Sequence, residues 1–229
     1  MKDIKIGGYD VIKTPGIYGY VTSSEDPRDS YADNIVAQYS LPEEYDLMRY
    51  MPPVLNQGSK PMCSACAACC NLEWKALMKG EDVDLSEDWV FDQREDKNVP
   101  GMSPRETFQI IKKNGVPSVT AYKSKNPETI HESAKWHRIR GYARIGTINT
   151  LKNCIIAYGP VYIALPVRSE NDYFWRGGEN LGGHAVPVVG WNRDGLIIRN
   201  SWGSTWASGG YVTLPYDDVK YILEAWTML

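Results

Sequence analysis

Asn56-Gln57-Gly58-Ser59-Lys60-Pro61-Met62-Cys63-Ser64-Ala65-Cys66-Ala67-Ala68-Cys69-Cys70 carries four of the chain's five cysteines and changes character at its midpoint. Up to Met62, Gly and Pro rule out regular helix. From Cys63 to Lys79 the stretch is Ala-rich, and Cys66, Cys70, Trp74 and Leu77 share one helical stripe. A loop that becomes helix at a cysteine puts that sulfur at a helix N-terminus, where free N–H groups and the macrodipole favour negative charge. Thiolate is the nucleophilic form, and such a position is expected to lower the thiol pKa from ~8.5 toward ~3.5–7.5. Cys63 is therefore a candidate nucleophile. Cys66, Cys69 and Cys70 read as small buried hydrophobes. The Cys-x-x-Cys-x-x-Cys spacing also fits zinc or an iron–sulfur cluster. All these thiols share one short segment, however, with no second Cys or His pair nearby, so neither metal nor cofactor is expected.

A chain of 229 residues, 43% hydrophobic and 23% charged, has room for one sizeable domain or two packed halves. Its formal net charge of −3 shows no electrostatic footprint for nucleic acid. No run approaches the ~18 apolar residues of a membrane span. Met1 to Tyr9 carries charge but no apolar core of a signal peptide. Cysteines crowded on one presumed helix do not make a disulfide framework, which points to a reducing, cytoplasmic compartment.

Residues 1–40 read as an arm or short strand pair, with Ile4, Ile6, Tyr9 and Val11 alternating before a break at Pro15-Gly16. Residues 41–55 are held extended by their prolines. Ser86 is expected to cap one helix. Ser103-Pro104-Arg105-Glu106 opens another that stops at Asn114-Gly115. A third helix is expected over Ile148–Ala157. Strands then follow at Val161–Val167, Ala185–Trp191, Leu196–Asn200 and Gly210–Leu214, with Asp194-Gly195 as a hairpin turn. Helices first and an antiparallel sheet second predict an α+β fold of two facing halves. The boundaries expected are an arm over 1–40 and a domain over 41–229. Its helical half would run about 56–120 and its sheet half about 121–229, with 41–55 crossing over.

A thiolate nucleophile needs an imidazole to form the ion pair and protonate the leaving group. Of the three histidines, His131 and His137 lie in a polar stretch expected on a solvated face. His184 opens an apolar strand beside Gly182-Gly183. The Asp194-Gly195 hairpin brings Asn200 to the same end, where it would orient the imidazole, with Trp202 shielding their bond. Gln57 precedes Cys63 on the loop, and its amide N–H together with the Cys63 backbone N–H would form an oxyanion hole.

With these residues in place the chain resembles the papain-like cysteine peptidases, over roughly residues 41–227. The resemblance rests on Pro53-Val54-Leu55-Asn56-Gln57-Gly58 with Cys63, on Leu85-Ser86 and on Gly101-Met102-Ser103. It continues through Gly159-Pro160-Val161, Gly182-Gly183-His184-Ala185-Val186, Asn200-Ser201-Trp202-Gly203, Trp206 and Gly210-Tyr211. The style is closest to compact bacterial and viral members. The resemblance implies a helical subdomain packed through the nucleophile's helix on an antiparallel sheet or barrel, with the active-site groove between them. It implies Cys63 as nucleophile, His184 as acid and base, Asn200 as orienter and Gln57 as oxyanion donor. Gly101 and Gly183 would present backbone to an extended substrate, with Trp202 beside them. Met102 and Ala185 would line the pocket for the residue second before the cut. The chain departs from the family at Lys60-Pro61-Met62, where Cys-Gly-Ser is usual. His184 also follows Cys63 at less than the family's ~130–150 residues.

The expected function is a cysteine endopeptidase acting on polypeptides through a thioacyl-enzyme, without nucleic acid or membrane as partner. Two alternatives stand beside it. One is a structural or docking component of a virion or other assembly, with latent or absent activity and the arm meeting a protein partner. The other is the same chemistry aimed at peptidoglycan or isopeptides.

Overall fold

The computed structural model describes residues 3–7, 19–169 and 173–229. Tyr9, Val11 and Pro15-Gly16, singled out above, lie outside them.

The fold is organised around α1 (Cys63–Leu77), whose residues Cys63 to Glu73 are all buried. The expected single stripe is thus too narrow, because the helix is enclosed on all sides. Its Ala, Ser and Cys side chains are small enough for other elements to approach from every direction. Two short helices close its outer face: α2 (Glu87–Asp92), capped by Ser86, and α3 (Pro104–Asn114), capped by Ser103 with Pro104 in the first turn. The chain then makes two helices that the polar sequence concealed, α4 (Val119–Lys123) and α5 (Pro127–Ala134). Each is started by a side-chain cap, Ser118 and Asn126. His131 is exposed as expected. His137 is buried instead, with Nδ1 on the Val116 carbonyl at 3.1 Å and Nε2 on Glu81 at 3.1 Å.

The sheet comprises β1 (Tyr45–Asp46), β2 (Tyr142–Arg144), β3 (Val161–Arg168), β4 (Asn180–Trp191), β5 (Gly195–Arg199), β6 (Tyr211–Pro215) and β7 (Glu224–Met228). Helix α6 (Ile148–Tyr158) packs between β2 and β3 in sequence. The order β2-β7-β3-β4-β5-β6, with β1 added to β4, is antiparallel throughout and open, so the sheet is not a closed barrel. One apolar cluster fills the space between α6 and the sheet, with Leu151, Ile155, Val186 and Trp191. A second lies between α1 and the opposite face, with Cys66, Leu85, Met102 and Phe108.

The first residues run along the sheet's edge. Ile6 N–H donates to the Gly146 carbonyl at 2.8 Å, and Ile148 N–H donates to that of Ile4 at 3.0 Å. Asp33 accepts from Gly146 N–H and from the Thr150 hydroxyl, both at 2.8 Å. Tyr20, between these two attachments in sequence, is part of the second cluster.

Candidate active site

Cys63 is the first residue of α1, and Met62 before it offers no side-chain cap. The loop leading in is tied down at its start. Gln57 N–H donates to the Ser201 carbonyl at 2.9 Å, and Asn56 bridges to Trp202. The Gln57 amide is fixed at both ends, accepting from Ser201 Oγ at 2.6 Å and donating to the Lys60 carbonyl at 2.9 Å. An amide nitrogen carries two hydrogens, so one remains for another acceptor. Tied this way, the loop delivers the Cys63 sulfur to β4, where Ala185 N–H reaches Sγ at 3.4 Å.

The residue preceding Ala185 is His184, fully buried. The β4–β5 hairpin brings Asn200 to its ring, with Nε2 and Oδ1 2.8 Å apart. Asn200 Oδ1 also accepts Ser201 N–H at 2.8 Å, which fixes the oxygen toward the ring. Facing an acceptor, Nε2 carries the hydrogen and Nδ1 is left as the basic nitrogen. Trp202 stacks on the imidazole at 4.8 Å and 23°, and Phe174 meets it edge-on at 5.6 Å. The rings exclude water from the His184–Asn200 bond.

The electrostatics run against the expectation from helix position. Burial pushes the Cys63 thiol up to about 12, outweighing the N–H groups of Ala185 and Ser64 that favour thiolate. Burial also pushes His184 down to about 4, against the opposing bond to Asn200. Burial thus favours the neutral form of each group. A helix N-terminus stabilises an anion by ~0.3–1 kcal/mol when exposed, too little to offset loss of solvent around the sulfur. Cys66, Cys69 and Cys70 are buried thiols, all raised by burial, and Cys70 Sγ accepts from Arg199 at 2.5 Å.

Residues 19–21 of the arm lie beside the site, against Pro61, Gly101, Met102 and Gly183. Met102 N–H donates to the Gly19 carbonyl at 3.0 Å, and Val21 N–H donates to the Met102 carbonyl at 3.3 Å, a parallel bridge centred on Tyr20. The pairing falls on Met102. Gly101, expected to present backbone here, lies against Gly19 instead, where a Cβ would come within 2.4 Å of the Gly19 oxygen. Gly19 in turn lies against the Pro61 carbonyl, so the unusual Lys60-Pro61-Met62 loop forms part of the arm's seat. Ser64 supports that seat, its hydroxyl donating to the Met102 carbonyl at 2.9 Å.

The Tyr20 ring is completely buried over Gly183, and its phenol donates to Glu224 Oε1 at 2.6 Å. Asp29 pairs with Arg105 through both oxygens and with Arg144 Nε at 2.7 Å. Arg144 Nη1 reaches Glu224 Oε2 at 3.1 Å, completing a chain of four charged groups. Burial opposes ionisation of Asp29, but the two guanidiniums win and hold its carboxyl below the usual range. Sequence reasoning missed Tyr20, Asp29, Arg105, Arg144 and Glu224. The available signal was Glu224, a lone acid entering an apolar strand. Among the described residues no cluster of His, Cys, Asp and Glu is arranged to hold a metal.

Comparison with known proteins agrees on one lineage. The model of the papain family cysteine proteases matches residues 41–224. Macrodontain-1 of Ananas macrodontes is 29% identical over 197 residues, 78% of this chain and 91% of the relative. Cathepsin K of Mus musculus is 29% identical over 196 residues, 76% of this chain and 60% of the relative. Xylellain, a cysteine protease from Xylella fastidiosa, superposes with a TM-score of 0.76 at 20% identity, covering 94% of this chain and 96% of that structure.

Proposed function

We propose that this chain, which belongs to the papain family of cysteine proteases, hydrolyses internal peptide bonds through a thioacyl-enzyme. The observation that carries the reading is the line Asn200–His184–Ala185–Cys63. The Nε2 to Oδ1 bond of 2.8 Å fixes the imidazole, and the next residue's N–H holds the sulfur at 3.4 Å.

With the cleft open to water, His184 Nδ1 takes the Cys63 proton and an ion pair forms. Sγ attacks the substrate carbonyl carbon. The Cys63 N–H and the remaining hydrogen on Gln57 Nε2 receive the oxyanion. The imidazolium then protonates the departing amine, leaving a thioester. Water, deprotonated by His184, attacks the thioester and releases the acid and the thiol. Asn200 keeps the ring in the tautomer that both steps require. A groove that accepts an internal stretch such as Gly19 to Val21 suits an endopeptidase.

A second reading concerns the state of the molecule. The arm lying across Met102 and over Gly183 supports a latent form in which residues 19–21 exclude substrate. A protein partner that draws the arm away would then switch the enzyme on.

The test of the first reading is labelling of the chain carrying Tyr20→Ala, which removes the ring over Gly183, by an epoxide thiol probe, read by mass spectrometry, beside peptide hydrolysis. Label on Cys63 and loss of hydrolysis in Cys63→Ala are expected. Hydrolysis undiminished in Cys63→Ala would end the proposal.

A further inference from the structure

Helix α1 begins at Cys63, and its opposite, C-terminal end borders a separate cavity of about 260 Å³. Leu72, Lys75 and Ala76 share one face of the helix, and Lys79 lies in the turn that follows it. The other wall is the run Trp136-His137-Arg138-Ile139-Arg140. His137 and Ile139 are buried while Trp136, Arg138 and Arg140 are exposed, so inward and outward residues alternate. The run is anchored to the end of β7. Arg140 N–H donates to the Leu229 carbonyl at 2.9 Å, and Leu229 N–H donates to that of Gly141 at 2.8 Å. The Arg138 stem rests on Gly115, where a Cβ would lie 3.0 Å from Cγ.

Four cations thus line one cavity. Lys75 Nζ donates to the Met228 carbonyl at 2.6 Å. The side chains of Lys79, Arg138 and Arg140 have no hydrogen bond or ion pair among the described residues. The one acidic side chain in the lining, Glu81, is met by His137 Nε2 at 3.1 Å. Even with the Leu229 carboxylate counted, four cations face two anions. Lysines near a helix C-terminus answer the macrodipole, which accounts for Lys75 and Lys79. It does not account for two arginines brought to them from another segment. Burial, with repulsion from Lys79 added, pushes Lys75 down to about 8, a shift that an anion in the cavity would oppose.

Trp136 is 76% exposed, with Lys135 over its ring at 5.5 Å. An indole so open to water, beside cations, suits a planar ring stacked on it. A carboxylate is a monoanion with two coplanar oxygens. A phosphate monoester brings nearly two charges and three oxygens arranged around phosphorus, so lysines on one wall and arginines on the other reach it together. We infer that this cavity is a ligand site apart from the cleft, and that it takes a phosphate monoester carrying a planar ring. The phosphate lies among Lys75, Lys79, Arg138 and Arg140, and the ring lies on Trp136.

In the experiment the full chain is titrated by calorimetry at about 0.15 M salt, where surface charges are screened. The probes are phenyl phosphate, adenosine monophosphate, N-acetyl-phosphotyrosine amide, inorganic phosphate and benzoate. Phenyl phosphate is expected to bind one per chain, at least about tenfold tighter than benzoate. Arg138→Gln/Arg140→Gln changes two exposed residues and should weaken phenyl phosphate by at least about tenfold. Trp136→Ala should weaken it by about threefold or more and leave inorganic phosphate unchanged, since stacking is lost and charge is not. Thermal melts establish that each variant is folded.

The tighter of adenosine monophosphate and the phosphotyrosine amide tells whether a nucleotide or a phosphorylated protein supplies the ring and phosphate. Binding of none of the esters, or binding undiminished in the arginine double variant, overturns the inference. Benzoate as tight as phenyl phosphate overturns the choice of phosphate, and inorganic phosphate as tight overturns the stacked ring. No reading here uses peptide hydrolysis, so this site and the peptidase reading stand or fall separately.

Discussion

The two ends of the cleft are built on opposite principles. At one end Cys63 and His184 sit among aromatic rings and backbone, and burial favours the uncharged form of each. At the other end Asp29, Arg105, Arg144 and Glu224 form a chain of largely buried ion pairs, each group answered by another. The arm spans both. It is held by charge where no bond is to be broken, and it merely excludes water where the chemistry is proposed. A latent enzyme arranged this way can be opened by disturbing the charged end without altering a reacting group.

The largest effect expected is at the uncharged end. In the Tyr20→Ala background, Cys63→Ala should reduce kcat/KM for peptide hydrolysis by more than ~10^3-fold, since removing a nucleophile leaves only binding and the oxyanion site. A comparable loss from Asp29→Asn would break the division between the two ends.

Asp29→Asn in the otherwise unaltered chain should instead raise activity. It leaves two guanidiniums without their shared carboxylate, and breaking a buried pair from one side costs about 3–5 kcal/mol. Relief of latency by at least about tenfold in kcat/KM is expected, together with faster proteolysis of the arm. Unchanged activity would mean that the charges do not hold the arm.

Within the uncharged end, the pH response should separate His184 from Cys63 by sign. His184 is depressed from 6.5 to about 4, so the stability it contributes to the covered form is full above 6.5 and is lost as pH falls toward 4. Cys63 is raised from 9.0 to about 12, so its contribution is full below 9 and is lost as pH rises toward 12. Melting temperature against pH should therefore slope down on the acid side in the native chain and flatten there in His184→Gln. Cys63→Ala should lessen only the alkaline slope, to which the other buried thiols also contribute.

The smallest effect is reserved for a charge pair beside the same loop. Lys60 and Asp88 are 57% and 47% exposed, and Lys60→Ala should change stability by less than about 0.5 kcal/mol in a denaturant titration. A larger loss would show that exposure is not what distinguishes this pair from the Asp29 network.

Much of the uncharged end was legible because its signals are local. A loop-to-helix junction marked Cys63, and an Asp194-Gly195 hairpin was enough to bring His184 beside Asn200. Ser103 and Pro104 announced α3 for the same reason. The short helices α4 and α5 were not legible, because they carry too few apolar residues to show a period. The charged end was hidden for a deeper reason. Tyr20 meets Glu224 across 204 residues of chain and Asp29 meets Arg144 across 115, and no periodicity records such a meeting. The sign of the Cys63 shift was missed on the same account, since it depends on what covers the sulfur.

That long reach has a consequence for the order of events during synthesis. Tyr20 is made well before its acceptor, which lies 204 residues later on β7, a strand that pairs with both β2 and β3. Bringing together segments so far apart is slow relative to local helix and hairpin formation. The nascent chain therefore assembles Cys63, His184 and Asn200 before it has a floor on which the arm can rest. On the latent reading proposed above, a molecule in that interval is open, and closure is its last act of folding.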